Sequence, residues 1–255
     1  MANLIEAGDN PDLTEERRKA TFCVRGLASF LYGGDEKIAR RDAITKFVEE
    51  TPELQDPRPV EFMTRQERIE NAARKVVSMT NHADQIDASD IGEAAYYQNL
   101  VMARDAHPLA LHYVMFLPTL QGQASDEQQE KWLPLAATRA IIGTYAQTEL
   151  GHGTNLRKLE TTATYDPKTQ EFVMHSPTVT ATKWWPGCLG KSSNYAIVVA
   201  QLWTLGKCYG PHPFMVQLRD LQTHQPLPGI TVGDIGPKLA YNSNDNGFLS
   251  FDHVR

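Results

Sequence analysis

The sequence predicts an α+β protein in which an all-α helical bundle, residues 1–140, precedes an all-β domain, residues 141–255. Three observations predict this class. Helix-capping signals stand before apolar residues spaced by three and four positions in the first part. The second part has short runs of β-branched and aromatic residues, separated by turn formers. Because the connections between these runs are short, we expect an antiparallel β-barrel or sandwich.

Three helix starts are predicted in the first part. Thr14 precedes a charged run, Thr64 precedes Glu67, and Ser125 precedes Gln128, so each hydroxyl can cap free amides. After Thr64, apolar residues recur at steps of three and four up to about residue 86. This spacing predicts an amphipathic helix that packs on its neighbours.

The pattern changes to that of strands after residue 142. The predicted strands contain residues 171–174, 195–199, 214–216 and 248–251. The predicted turns, rich in Pro, Gly, Asn and Asp, are 166–169, 210–213, 226–229 and 242–247.

Composition excludes several classes of protein. Apolar residues make up 41% and charged residues 22%, which is typical of a folded globular chain rather than a disordered one. The net charge of -6 argues against nucleic acid as a partner. Three widely spaced cysteines predict neither a disulfide framework nor a zinc site. We also expect no signal peptide and no membrane span, because no stretch approaches about 20 apolar residues.

The segment 143–155 is the first candidate binding region. Gly151 and Gly153 would let a ligand approach the backbone closely, and Gln147 and Thr148 can offer side-chain hydrogen bonds. The alternative is an ordinary strand-to-loop turn with its glycines at positive φ.

Two adjacent tryptophans mark a second candidate region at the end of a predicted strand. Since neighbouring strand residues point to opposite faces, one of Trp184 and Trp185 can enter the core while the other faces a flat aromatic ligand. The alternative is that both pack in the core. The histidines outside the first region show no metal spacing and no paired carboxylate, so we predict no metal site; they are His82, His107, His112, His175, His212, His224 and His253.

These regions resemble peroxisomal acyl-CoA oxidases. The resemblance is carried by residues 144–154, 159–167 and 183–187, and by further motifs at 10–13, 116–118, 226–237 and 245–247. It implies the fold shared by acyl-CoA dehydrogenases and oxidases, with FAD lying across the face of the β domain.

The resemblance also implies a set of site residues. Thr148 would hold the flavin ring by hydrogen bonds and Gly187 would contact it through its backbone, with Gln147 and Trp185 nearby. The acyl-CoA would lie near four consecutive residues, which are Gly151, His152, Gly153 and Thr154. Glu149 is not expected to act as a base, because the family places that role elsewhere. Cys188 stands where the family commonly has a second glycine, a change expected to be tolerated if its side chain faces solvent.

The implied activity is oxidation of fatty acyl-CoA to trans-2-enoyl-CoA in peroxisomal β-oxidation, with O2 reduced to hydrogen peroxide. The family's catalytic glutamate belongs to a later helical domain, so we expect no catalytic residue in this chain. An alternative is a non-catalytic truncated form acting through a full-length partner, as a homodimer or heterodimer. A dehydrogenase fits the 183–187 motif less well. Peroxisomal localisation is implied although the chain has no C-terminal targeting tripeptide.

Overall fold

The computed structural model describes residues 8–103 and 105–255, which form two compact units. Within these residues, the first unit contains the chain up to Pro57 together with Val77–Ala103, and the second contains Arg58–Val76 and the chain after residue 104. The described helices are α1 Pro11–Arg18, α2 Val24–Tyr32, α3 Asp35–Glu50, α4 Arg65–Asn81, α5 Ile91–Met102, α6 Leu117–Gln123 and α7 Asp126–Ala137. In the described part of the chain, no helix combines the length and apolar character that a membrane crossing requires.

The first unit has a helical core between α3 and α5. Ile44 and Val48 of α3 are buried with Tyr97 and Val101 of α5. Leu54, in the short helical turn after α3, completes this cluster. Apolar side chains from two helices thus stabilise this unit by their mutual burial.

The second unit contains two sheets. Its strands are β1 Gly143–Ala146, β2 Thr162–Asp166, β3 Glu171–His175, β4 Lys183–Trp184, β5 Tyr195–Thr204, β6 Lys207–Gln217, β7 Ile230–Asp234 and β8 Gly247–Phe251. One sheet runs β1-β5-β2-β3, with β6 paired to β5; the other runs β4-β8-β7. The α+β class and all four predicted strand regions are confirmed.

The prediction of an antiparallel β domain is wrong for two strand pairs. β5 runs parallel to both β1 and β2, and antiparallel to β6. The long connections from β1 and β2 to β5 allow each strand to return in the same direction. Strand direction therefore depended on pairing between distant segments, which local turn signals do not report.

One predicted turn, 210–213, lies instead inside β6. The chain reverses earlier, at Leu205 and Gly206, which both have positive φ and form a two-residue hairpin connection. Pro211 and Pro213 are tolerated in β6 because β5 is the only strand paired with it among the described residues.

Two of the three predicted helix starts are confirmed and one is wrong. Glu67 accepts the Thr64 amide at 2.7 Å, and Ser125 and Gln128 form a reciprocal capping box, so both these starts are confirmed. The start at Thr14 is wrong, because Asn10 caps α1 and Thr14 lies inside that helix. The helix that follows Thr64 ends at Asn81, before a short helical turn.

The last two helices pack on the first sheet. Phe116, Leu120 and Ala136 are buried against Tyr195 and Ile197 of β5. The change from helix to strand lies between the end of α7 and the start of β1. Packing places α6 and α7 in the same compact unit as the strands. The domain boundary at residue 140 stays a prediction.

Candidate ligand-binding cleft

A cleft of about 620 Å³ opens in the second unit. Its lining comes from the helical segment before α6, from β1 and the residues after it, from the turn after β4, and from the loop before β8. These residues are Ala110, Leu111, Val114, Met115, Tyr145, Gln147, Thr148, Trp185, Pro186, Gly187, Tyr241, Asn244 and Asn246. The cleft therefore unites Gln147, Thr148, Trp185 and Gly187, which come from both candidate regions of the sequence.

Polar groups without partners face this cleft. The side chains of Gln147 and Thr148 have no hydrogen-bond partner among the described residues. Asn246 donates through Nδ2 to the Trp185 carbonyl at 2.7 Å, while its buried Oδ1 has no partner there. Of these groups only Asn246 Oδ1 is buried, and Gln147 and Thr148 are partly exposed, so all three are available to hydrogen-bond a polar ligand in the cleft.

The turn after β4 is held in a backbone conformation that non-glycine residues rarely adopt. Trp185 has φ +89° and Cys188 has φ +62°. Two hydrogen bonds hold Trp185 in this conformation. Its amide donates to the Gly247 carbonyl, and its carbonyl accepts from the Asn246 side chain. The turn leaves Trp185 51% exposed at the cleft.

Gly187 lies buried in the middle of this turn. Its carbonyl accepts the Thr144 hydroxyl at 2.6 Å, and its amide has no partner among the described residues. A Cβ atom at this position would lie 3.1 Å from Nδ2 of Asn244. A glycine therefore fits this position, and its backbone amide is available to donate a hydrogen bond to a ligand.

Cys188 points into the protein, so the condition under which the change was expected to be tolerated, a solvent-facing side chain, is not met. It is fully buried, and its Sγ donates to the Pro108 carbonyl at 2.7 Å. Burial raises the pKa of this thiol to about 12. Cys188 is tolerated because its side chain fills a buried position behind the turn, although its positive φ favours glycine.

A buried arginine and aspartate hold the chain that follows Cys188. Arg219 donates to the carbonyls of Leu189 and Gly190 at 3.1 and 3.0 Å, and Asp245 accepts the amides of Lys191 and Ser192. Burial lowers the pKa of Arg219 and raises the pKa of Asp245. The turn at the cleft is therefore supported from behind by charge-assisted hydrogen bonds.

A neutral histidine joins the helical wall of the cleft to β1. His112 is fully buried; its Nδ1 accepts the Gly143 amide at 3.0 Å, so its Nε2 donates to the Ala136 carbonyl. Burial lowers the pKa of His112. This link begins a π-helical turn, His112–Phe116, that brings Val114 and Met115 to the cleft.

Comparisons with known proteins identify the family. Residues 24–142 match the model for the acyl-coenzyme A oxidase N-terminal domain. The chain is 58% identical over 252 residues to acyl-coenzyme A oxidase acox-1.1 of Caenorhabditis elegans, which covers 98% of this chain. It is 52% identical to peroxisomal acyl-coenzyme A oxidase 1 of Cavia porcellus over 96% of the chain. The chain belongs to the acyl-CoA oxidase family.

The solved structures of acyl-CoA oxidases agree with this assignment. The C. elegans acyl-CoA oxidase-1 in complex with FAD and ATP matches with a TM-score of 0.90 over 98% of this chain. The Arabidopsis thaliana acyl-CoA oxidase 1 matches with a TM-score of 0.85 at 46% identity. The chain spans 37% of the length of the two sequence relatives and 38% and 37% of the two structures.

Glu149 is buried in a polar cluster that satisfies both of its carboxylate oxygens. Its Oε1 accepts Lys183 Nζ at 3.1 Å and both the amide and hydroxyl of Thr161, while its Oε2 accepts the Glu160 amide. Lys183 also donates to the carbonyls of Gln147 and Val199. Burial lowers the pKa of Lys183 to about 8. Glu149 thus serves the fold, and its role as a base is disfavoured.

The predicted substrate loop lies outside the residues that line the cleft. Gly151 donates to the Thr180 carbonyl, and an added Cβ would lie 2.8 Å from the Thr180 Cβ, so a close approach requires this glycine. Neither Gly151 nor Gly153 has positive φ, which contradicts the alternative of an ordinary positive-φ turn. His152 pairs with Glu160 at 3.1 Å. The substrate role of this loop, including Thr154, stays a prediction.

Sequence reasoning missed several residues of the cleft. Asn244 and Asn246 belong to the run 242–247, which was predicted as a turn and, at 245–247, matched to the family, but was given no role in a site. Three asparagines within five positions were the available signal, since their amides can donate and accept in one site. Tyr145 and Tyr241 also line the cleft and carried no separate signal.

Proposed function

We propose that this chain is the flavin-binding part of a peroxisomal, FAD-dependent acyl-CoA oxidase. The whole enzyme would oxidise fatty acyl-CoA to trans-2-enoyl-CoA and reduce O2 to hydrogen peroxide. The observation that carries this proposal is the convergence of Gln147, Thr148, Gly187 and Asn246 in one cleft with polar groups that lack protein partners.

The donors in the cleft fit a flavin ring. The Thr148 hydroxyl, the Gln147 amide and the Gly187 backbone amide would donate to the polar edge of the ring, and Asn246 Oδ1 would accept from its N–H. The half-exposed Trp185 would cover a flat aromatic face. Bound FAD would supply the hydride acceptor for oxidation of the acyl chain. The residues of this chain would orient the ring and stabilise negative charge on it.

The acyl-CoA would lie near Gly151, His152, Gly153 and Thr154. His152 is partly buried and fixed by Glu160, which would give the substrate a positioned imidazole beside a backbone without a side chain at Gly153. No residue of this chain is assigned the α-proton abstraction, because Glu149 is enclosed by its own donors. The catalytic base would belong to another part of the enzyme.

A second candidate function is that of a non-catalytic partner of a longer oxidase, as a homodimer or heterodimer. A concave surface of about 1020 Å³ on the first sheet favours it. The exposed Phe172 and the partly buried Phe214 and Val216 contribute apolar side chains to this surface. A concave surface lined in this way can accept an apolar side chain of a partner protein.

The first test is flavin retention. The 255-residue chain, mixed with excess FAD and passed through gel filtration, should elute with the visible absorption of a bound flavin. The combined variant Gln147→Leu/Thr148→Val should elute at the same volume with less flavin. Folded wild-type protein without flavin would contradict the proposal. The partner function would instead be supported by co-elution with a longer family member without bound flavin on this chain.

A further inference from the structure

A histidine pair and an aspartate meet on the surface of the second unit, apart from the cleft. His175 is the last residue of β3, and Asp252 and His253 directly follow β8. One ligand atom from each of the three lies within 4.8 Å of the other two. The sequence gives no hint of this cluster, since 76 positions separate His175 from Asp252 in the chain.

An imidazole nitrogen of this cluster has no hydrogen-bond partner among the described residues and is available to bind a ligand. Nδ1 of His175 is buried and has no hydrogen-bond partner among the described residues, and it lies 3.9 Å from Asp252 Oδ1. His253 Nδ1 lies 2.7 Å from the same carboxylate oxygen. The two imidazole rings stack with centroids 3.9 Å apart. Two imidazoles therefore converge on one carboxylate, and one buried nitrogen remains unused.

The backbone holds these groups in position. Met174 and Val254 exchange two hydrogen bonds, and Asp252 donates to the Gly229 carbonyl at 2.8 Å. His253 has φ +52°, which is uncommon for a residue with a side chain and places its ring over His175. The three groups are thus presented by a scaffold that joins the ends of two strands from different sheets.

We propose that His175, Asp252 and His253 bind a divalent transition-metal ion, specifically Zn²⁺. Two imidazoles and one carboxylate are a ligand set that zinc accepts in proteins, with water at the fourth position. If each ligand atom lies about 2.1 Å from a tetrahedral zinc ion, the ligand atoms lie on the order of 3.4 Å from one another. Asp252 is 82% exposed, so rotation of its side chain can close the remaining distance and solvent can deliver the ion.

The second cluster of potential ligands is a poorer zinc site. It consists of Glu149, His152 and Glu160. The oxygens of Glu149 already accept from Lys183, Thr161 and the Glu160 amide, so a metal would have to displace strong buried hydrogen bonds. This cluster supplies an internal comparison for the experiment.

Isothermal titration of the tag-free 255-residue chain with Zn²⁺ tests the proposal. We expect one equivalent to bind, an excess of Mg²⁺ to leave binding unchanged, and the melting temperature to rise, because the ion would link two sheets. His175→Gln, His253→Gln and Asp252→Asn should each weaken Zn²⁺ binding at least about tenfold, as loss of one of three ligands predicts. His152→Gln and His224→Gln should bind Zn²⁺ like the wild type.

Circular dichroism would establish that the surface variants remain folded. Absence of Zn²⁺ binding by the wild type at millimolar concentration would overturn the proposal. So would unchanged binding in folded His175→Gln and His253→Gln. Binding that only His152→Gln removes would place the ion at the other cluster and would equally overturn it. None of these outcomes depends on flavin retention, so the test is separate from that of the proposed function.

Discussion

Two neighbouring groups of polar residues in the second unit differ in how their hydrogen-bonding capacity is used. In the buried cluster, defined as Glu149, Thr161 and Lys183, the carboxylate accepts four hydrogen bonds from the protein and the ammonium donates three. In the cleft, the side chains of Gln147 and Thr148 have none among the described residues. Thr148 and Glu149 are adjacent in sequence, so one short segment serves both.

This difference indicates which residues of the segment contribute to stability and which are available for binding. Desolvated charges are tolerated only where the protein satisfies them, as in the buried cluster. Unsatisfied groups at the cleft lower stability little when water reaches them and remain ready for a ligand. We therefore expect substitutions in the buried cluster to affect folding, and those in the cleft to affect binding.

The largest effect is expected for Lys183→Met, which leaves Glu149 buried without its cation. The free energy of unfolding should fall by about 3–5 kcal/mol, measured by urea denaturation. The control is Lys46→Met, because the Lys46 pair with Glu50 is solvent-exposed and should contribute less than about 1 kcal/mol. The double variant Glu149→Gln/Lys183→Met should recover part of the loss. Equal effects of Lys183→Met and Lys46→Met would contradict the prediction, because burial would then not make the Glu149–Lys183 pair more important to stability than an exposed pair.

A smaller effect is expected for Thr161→Val. The Thr161 hydroxyl donates to Glu149 Oε1 at 2.7 Å and lies fully buried. Removing this donor to a charged group should lower the free energy of unfolding by about 1.5–3 kcal/mol, also measured in urea. A loss below about 0.5 kcal/mol would mean that the remaining donors satisfy the carboxylate alone.

The buried cluster also predicts a dependence of stability on pH. Burial lowers the pKa of Lys183 to about 8 from the ordinary 10.5. Between these values the folded chain has released a proton that the unfolded chain retains, so unfolding takes up a proton. The free energy of unfolding should therefore rise with pH in this window, by at most about 1.4 kcal/mol per pH unit. The double variant Glu149→Gln/Lys183→Met should lack this contribution, and identical slopes would contradict it.

Local signals predicted the parts of this fold that depend on few neighbours. The capping boxes at Thr64 and Ser125 were readable because each involves residues three positions apart. The parallel pairing of β5 with β1 was not readable, because 48 residues lie between the two strands. Strand direction at such separation depends on the tertiary fold.

Only part of the candidate site could be predicted from the sequence. The resemblance to the family predicted Gln147, Thr148, Trp185 and Gly187, and the structure brings these four to one cleft. The burial of Cys188 was missed, because its positive φ directs the side chain inward and no sequence pattern reports that angle.

The smallest effect on stability is expected for Thr148→Val, the counterpart of Thr161→Val in the cleft. The free energy of unfolding should change by less than about 0.5 kcal/mol, because no described residue bonds to this hydroxyl. The affinity for FAD, measured by flavin fluorescence titration, should instead fall roughly five- to tenfold, as loss of one hydrogen bond predicts. If Thr148→Val destabilised the fold as much as Thr161→Val and left FAD binding intact, Thr148 would belong to the structural group. The division between the two neighbouring residues would then be lost.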